Sequence, residues 1–191
     1  MRHSPFSAMY DACVLYPAPL RDLLVLLGLC GLYRARWSTD VQEEWKRNLL
    51  KNRPDLRPEL LTRTCELMDL AIPDAAVTGY DELVPSLDLP DCDDRHVLAA
   101  AIRGNAQVIV TFNLKDFPDS VLGGFDIEAL HPDDFICDLW DLDRAAVLSC
   151  VQKQRRRLKK PPMEAMQYLD MMSRQGLPQI VEALRPYISI I

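Results

Sequence analysis

Apolar positions along the chain alternate between two periods. Residues 107–111 (QVIVT) form a continuous β-branched run of the kind a parallel strand covered on both faces requires. Shorter runs at 6–10, 34–37, 75–79 and 127–130 read as further strands, the last at an edge. Between them the period lengthens toward 3.6. Helices are expected over 20–29, then from Ser38 or Thr39 through the stripe Val41, Trp45 and Leu49, then over 55–70 and 94–103. Asp93 suits the N-cap of the 94–103 helix, and Gly104-Asn105 ends it. With right-handed crossovers, this order predicts an α/β protein, a three-layer α/β/α sandwich with a small, mainly parallel sheet. From His131 the composition changes. Five aspartates crowd an amphipathic segment, and helical patterns over 145–158, 163–174 and 177–186 finish the chain. The expected organisation is one domain over 1–135 with a helical extension over 136–191.

Carboxylates collect where these elements meet. In an open parallel sheet, ligands bind at the carboxyl ends of the strands. Asp11 directly follows the first strand, while Asn113 and Asp116 follow the QVIVT strand. A helix antiparallel to its strand begins at the edge where that strand ends, so Asp94 can face the same crevice as Asp116. Asp93 and Asp94 then divide as cap and ligand. Glu43 and Glu44 lie on the helix with the Val41 stripe, and one of them should flank it. Three or four carboxylates around an open cleft repel one another without a cation. Such a set suits a hard ion such as Mg²⁺ or Mn²⁺, and metal-assisted phosphodiester hydrolysis is the chemistry it could support.

Four segments, in order, carry a family likeness: Tyr10-Asp11-Ala-Cys-Val-Leu, Ser38 through Glu44, Asp94-Arg-His-Val-Leu-Ala-Ala-Ala, and Val110-Thr111-Phe-Asn113-Leu-Lys-Asp116-Phe117. Together they resemble the acidic motifs of the PIN domain family, which includes VapC-type toxins and other metal-dependent ribonucleases. The resemblance covers roughly residues 5–135. It implies a metal-dependent endoribonuclease that acts as the toxin of a type II toxin-antitoxin pair. Asp11 and Asp94 would be direct Mg²⁺ or Mn²⁺ ligands, Glu44 a ligand or water-orienting group, and Asp116 a second-site ligand. Glu44 is preferred to Glu43 because it lies six residues after Ser38. Many members carry Asp where this chain has Asn113, so Asp116 stands in. Asn113, Thr111 and Arg95 are the candidates for contact with RNA. The likeness further implies a homodimer and a small antitoxin protein over the cleft.

Charge and cysteines narrow the picture without deciding it. The net charge of −6, from 22 basic and 28 acidic residues, is unusual for a protein whose whole surface binds nucleic acid. The densest cationic run, residues 153–160, reads as a solvated helical face, with RNA contact as the alternative. Cysteines 13, 30, 65, 92, 137 and 150 show no metal spacing and read as buried thiols of a reducing cytoplasm. The opening MRHSPFSAMYD has no apolar core of a secretory signal, and the apolar stretch 23–33 falls short of the roughly 20 residues of a membrane span. A cytoplasmic protein is therefore expected. His96 reads as a partly exposed helix residue, and His3 and His131 carry no motif. Two competing functions are a PIN fold serving only as an RNA- or protein-binding module, and a receiver-type phosphoacceptor. The second lacks a clear strand-end lysine.

Overall fold

The computed structural model describes residues 6–159 and 161–191; His3 and Lys160 lie outside this range. In chain order the elements are β1 (Ser7–Tyr10), α1 (Ala12–Leu15), α2 (Ala18–Leu29), β2 (Arg34–Ser38), α3 (Thr39–Asn52), α4 (Pro58–Ala71) and β3 (Ala76–Val77). Then follow α5 (Arg95–Arg103), β4 (Val108–Val110), α6 (Asp119–Leu122), β5 (Glu128–Leu130), α7 (Pro132–Leu142), α8 (Arg144–Arg157), α9 (Ala165–Arg174) and α10 (Pro178–Leu184). The five strands form one sheet in the order β3-β2-β1-β4-β5. Every pairing is parallel, with Met9 opposite Arg36 on one side and Ile109 on the other. The sheet is thus wholly rather than mainly parallel, and β1 and β4 lie at its centre.

That central position explains the sequence of both strands. Ala8, Met9, Tyr10, Ile109 and Val110 are fully buried, as expected where helices cover both faces. Tyr10 projects toward α2 and donates its hydroxyl to the Leu24 carbonyl at 3.1 Å. The α3 helix starts where the chain offers a cap: Ser38 Oγ accepts from Val41 N at 3.2 Å, and Asp40 adds negative charge to the first turn. Asp69 of α4 accepts from Trp37 Nε1 and Gln42 Nε2, at 2.8 and 2.9 Å, and locks α4 to β2 and α3.

The start of α5 differs from expectation. Residues Cys92–Asp94 form a 3₁₀ turn before the α-helix proper, and its cap is Asp91, whose side chain accepts from Asp93 N at 2.9 Å. Asp93 is therefore not the capping residue. Tightening the entry into a 3₁₀ turn leaves Asp94 as the first helix-facing acid, with only 9% of its surface exposed.

The C-terminal helices pack directly on the sandwich. The seam expected between residues 135 and 136 falls inside α7, which begins at Pro132 under a cap from His131 Nδ1. Phe135 of α7 sits edge-on to Tyr33, with ring centroids 5.0 Å apart. The α8 helix runs antiparallel to α2. Near one end Cys150 Sγ lies 2.7 Å from Cys30 Sγ, and near the other Gln154 Nε2 donates to the Pro19 carbonyl at 2.7 Å. Buried Asp133 accepts from Gln179 N and Ile180 N and so fixes the start of α10. Between α9 and α10 the chain turns at Gly176 with φ of +83°, and a Cβ there would meet the Phe112 ring at 3.2 Å. The turn therefore needs glycine, both for its backbone and for the close approach to Phe112.

Not all six thiols are buried. Cys65 and Cys150 are, Cys13 and Cys137 are half-buried, but Cys30 and Cys92 are exposed, because each sits at a helix boundary rather than on a core-facing stripe.

Candidate active site

Asp11 leaves β1 at the middle of the sheet, and its backbone N–H still donates to the Val110 carbonyl of β4 at 3.1 Å. The carboxylate is 2% exposed. Its Oδ2 accepts from Thr111 Oγ at 2.6 Å and from Cys13 Sγ at 2.9 Å, so two side chains hold it from the buried side. The sheet order makes this contact possible, since β1 and β4 are neighbours and Asp11 and Thr111 end them.

Electrostatically coupled to this buried carboxylate is an open cleft of about 530 Å³ lined largely by carboxylates and amides. Helix α3 supplies Asp40, Glu43 and Glu44, and the turn entering α5 supplies Asp91, Asp93 and Asp94. Asn113, from the loop after β4, closes one side and also borders a second hollow with Cys13, Tyr16, Lys51 and Asn52. The two glutamates separate clearly. Glu43 pairs with Lys46 at 2.5 Å, whereas Glu44 meets His96 Nε2 at 3.2 Å and adds its charge to the field on Asp11 and Asp94.

The electrostatics are those of crowded acids. Asp94 is pushed up to about 7, first by burial and then by the charges of Asp11, Asp91, Glu44 and Asp116. Burial raises Asp11 as well, and the hydrogen bonds from Cys13 and Thr111 work against that rise. His96 moves upward on balance: burial disfavours its charged form, but the hydrogen bond to Glu44 and the charges of Glu44, Asp40 and Asp11 outweigh it. Asp91, Cys92 and Asp93 bring their ligand atoms within 4.8 Å of one another at the exposed rim. Oxygen donors dominate throughout, and this donor set fits a hard divalent cation.

Comparison with known proteins agrees with this layout. A family model described as "PIN domain" matches residues 7–115, more than half of the chain, and contains β1 through β4 with every acid of the cleft. The chain belongs to the PIN domain family. A second model, described as "VapC50 C-terminal domain", matches residues 132–186 of this PIN protein, the span from α7 to beyond α10. A Mycobacterium tuberculosis protein named "Putative ribonuclease VapC50" is 41% identical over 107 residues, covering 56% of the present chain and 62% of the relative's own length. No solved structure gives a significant match.

Within the PIN domain, most of the sequence-derived site converges. Glu44, Asp94 and Asn113 line the cleft, while Asp11 is buried and does not line it, though its charge acts on Asp94 and that of Glu44 acts on it. Asp116 ends a 3₁₀ turn after β4, half-buried; its charge reaches Asp94, but it does not line the cleft. Thr111 is not a substrate contact. It is fully buried, and its hydroxyl is used up between Asp11 and the Asn113 N–H, 2.9 Å away. Arg95 also departs from expectation, because its guanidinium turns to Asp88, 3.6 Å away, and is not part of the cleft wall. His96, expected to be an ordinary helix residue, is instead in the cleft beside Glu44. Nothing in local spacing reports this, since its partner is on another helix.

Thr111 thus becomes a positioning residue with a measurable role. Thr111→Val keeps the shape of the buried side chain and removes the hydroxyl. Metal affinity, read by isothermal titration with Mn²⁺, should fall about 10–100-fold, the usual effect of losing a hydrogen bond that orients a ligand. Unchanged affinity would mean that Cys13 alone suffices to hold Asp11.

Proposed function

We propose that this PIN protein is a Mg²⁺- or Mn²⁺-dependent endoribonuclease, and the toxin of a toxin-antitoxin pair. The observation that carries this reading is the acidic cleft itself, in which Asp94 is raised to about 7 by burial and by four neighbouring carboxylates. Such an arrangement is costly to keep unless a cation offsets it. The name of the 41% identical relative supports the choice of RNA as substrate.

Asp11, Asp94 and Glu44 would hold the metal, with Asp116 as an outer or second-site ligand. Bound there, a divalent cation would activate water and offset charge developing on the phosphate. The chain's own groups do the rest. Thr111 and Cys13 fix the Asp11 carboxylate, so it does not need to reorganise on binding. His96 fixes Glu44 in the same way from α5. Asn113, Asn48 and Arg47 edge the cleft and offer donors to an incoming phosphodiester. An antitoxin segment would cover the same opening, a second copy of the chain would complete a homodimer, and the cytoplasm would be the place of action. Among the described residues, no helix is long and apolar enough to cross a membrane.

The test is incubation of single-stranded RNA with the purified protein in Mn²⁺, Mg²⁺ or EDTA, with bis(p-nitrophenyl) phosphate as a minimal diester. Metal-dependent cleavage of both is expected. RNA binding without cleavage in any metal would instead identify a binding module on a PIN fold.

A further inference from the structure

One stretch of the chain is cationic without any acid, and the cleft does not use it. Residues 144–159 hold six of the 22 cations and none of the 28 acids, so a whole-chain charge of −6 leaves −12 on the remainder. Helix dipole compensation accounts for part of this, since Arg155, Arg156 and Arg157 occupy the last turn of α8. It does not account for Lys153, a turn earlier, or Lys159, beyond the helix end. Arg155 is turned inward, donating to the Met163 carbonyl at 2.8 Å. Lys153, Arg156 and Lys159 are exposed and make no ion pair among the described residues. With Ser149, Gln152 and Arg157 they line a groove of about 430 Å³.

The packing of α8 decides where that groove lies. Cys150 meets Cys30, at the far end of α2, and Arg157 approaches Asp22, in the second turn of α2, at 3.7 Å. The basic end of α8 therefore lies beside the start of α2. That start follows Asp11 and α1 directly, at the carboxyl edge of the sheet where the cleft opens. The second hollow shares Glu44, Asn48 and Asn113 with the cleft, and it adds Tyr16, Lys51 and Asn52, with Asn52 Nδ2 donating to the Tyr16 hydroxyl at 3.0 Å.

From this geometry we infer that the C-terminal end of α8 is a second RNA-binding surface, which grips phosphates flanking the bond presented to the acidic cleft. The inference rests on the endoribonuclease reading and adds a division of labour to it. The acidic cleft repels RNA except where a cation intervenes, and the α8 groove supplies the attraction that brings the strand to that edge. Recognition there is of the phosphodiester backbone, independent of base sequence, and only substrates longer than the cleft itself benefit.

The experiment uses the full chain and a triple variant, Lys153→Gln, Arg156→Gln and Lys159→Gln, whose fold is checked by thermal melting. Binding of a fluorescent single-stranded RNA of about twenty nucleotides is followed by anisotropy in EDTA across a salt series. Loss of three phosphate contacts should weaken binding at least tenfold at low salt and reduce the slope of log K against log salt by about two. In metal, KM for the long RNA should rise with kcat little changed, while hydrolysis of bis(p-nitrophenyl) phosphate stays as in the unaltered protein. Equal affinity and equal salt slope in the two proteins would overturn the second surface. Failure of the unaltered protein to hydrolyse the minimal diester would count against the nuclease reading instead, and the salt slope would still judge the groove.

Discussion

Asp11→Asn should abolish RNA cleavage, lowering it by a factor on the order of 10³ or more in saturating Mn²⁺. The side chain is isosteric and keeps an oxygen for Thr111, so the fold has little reason to change. What is lost is a carboxylate ligand, 2% exposed, anchored by two hydrogen bonds and coupled to Asp94. A metal ion contributes several kcal/mol of charge stabilisation to phosphoryl transfer, and about 4 kcal/mol corresponds to a thousandfold in rate. Glu44→Gln should have a smaller but still large effect, because the Gln amide can retain a contact with His96 while giving up the charge. Retention of more than a tenth of the activity in Asp11→Asn, in protein shown to be folded, would remove Asp11 from the ligand set.

The metal-free protein should grow less stable as pH rises, and Asp94 should be the main reason. A carboxyl with a folded-state value near 7 keeps its proton in the native state where the unfolded chain, near 3.8, has already released it. Between those two values the native state binds more protons, so stability falls with increasing pH across that window and levels off above it. Solvent in the open cleft screens the neighbouring charges, so the effect is on the order of 1–2 kcal/mol, roughly 5 °C in melting temperature for a chain of this size. Asp94→Asn should flatten most of this dependence and raise the melting temperature in EDTA at pH 7.5. Asp11 is also raised, so some slope remains. Mn²⁺ should restore the unaltered protein at pH 7.5 and do little for the variant. A melting temperature in EDTA that does not vary between pH 5 and 7.5 would show that the acids are not electrostatically coupled.

Much of this site could be read from sequence because its parts are local. The α5–β4 unit declares itself through an Ala-rich helix, a Gly-Asn turn and a β-branched strand. Asp11 and Asp94 were legible because the carboxyl edge of a parallel sheet fixes where strand-end and helix-start acids go. Glu44 rather than Glu43 came from the PIN resemblance, which sets the acid six residues after Ser38, and Ser38 does cap α3. What remained hidden depends on long-range contact. Thr111 ends its strand pointing at a neighbour a hundred residues earlier, and a hydroxyl's role cannot be told from its own period of two. His96 finds Glu44 across 52 residues, and Arg95, one position before, is drawn off by Asp88. The capping role passed from Asp93 to Asp91 because the entry tightens into a 3₁₀ turn, a choice that three consecutive polar residues do not reveal.

The α2 helix buries Leu20, Leu23, Leu24, Leu26 and Leu27, with the sheet on one side and α8 on another. Each such side chain contributes roughly 1.5–3 kcal/mol by leaving water, so a chain stripped of α7 to α10 would expose more apolar surface than a marginally stable domain tolerates. Although separate family models match the two segments, they share one hydrophobic interior. The extension is therefore a wall of the PIN domain's own core rather than a tether hanging from it.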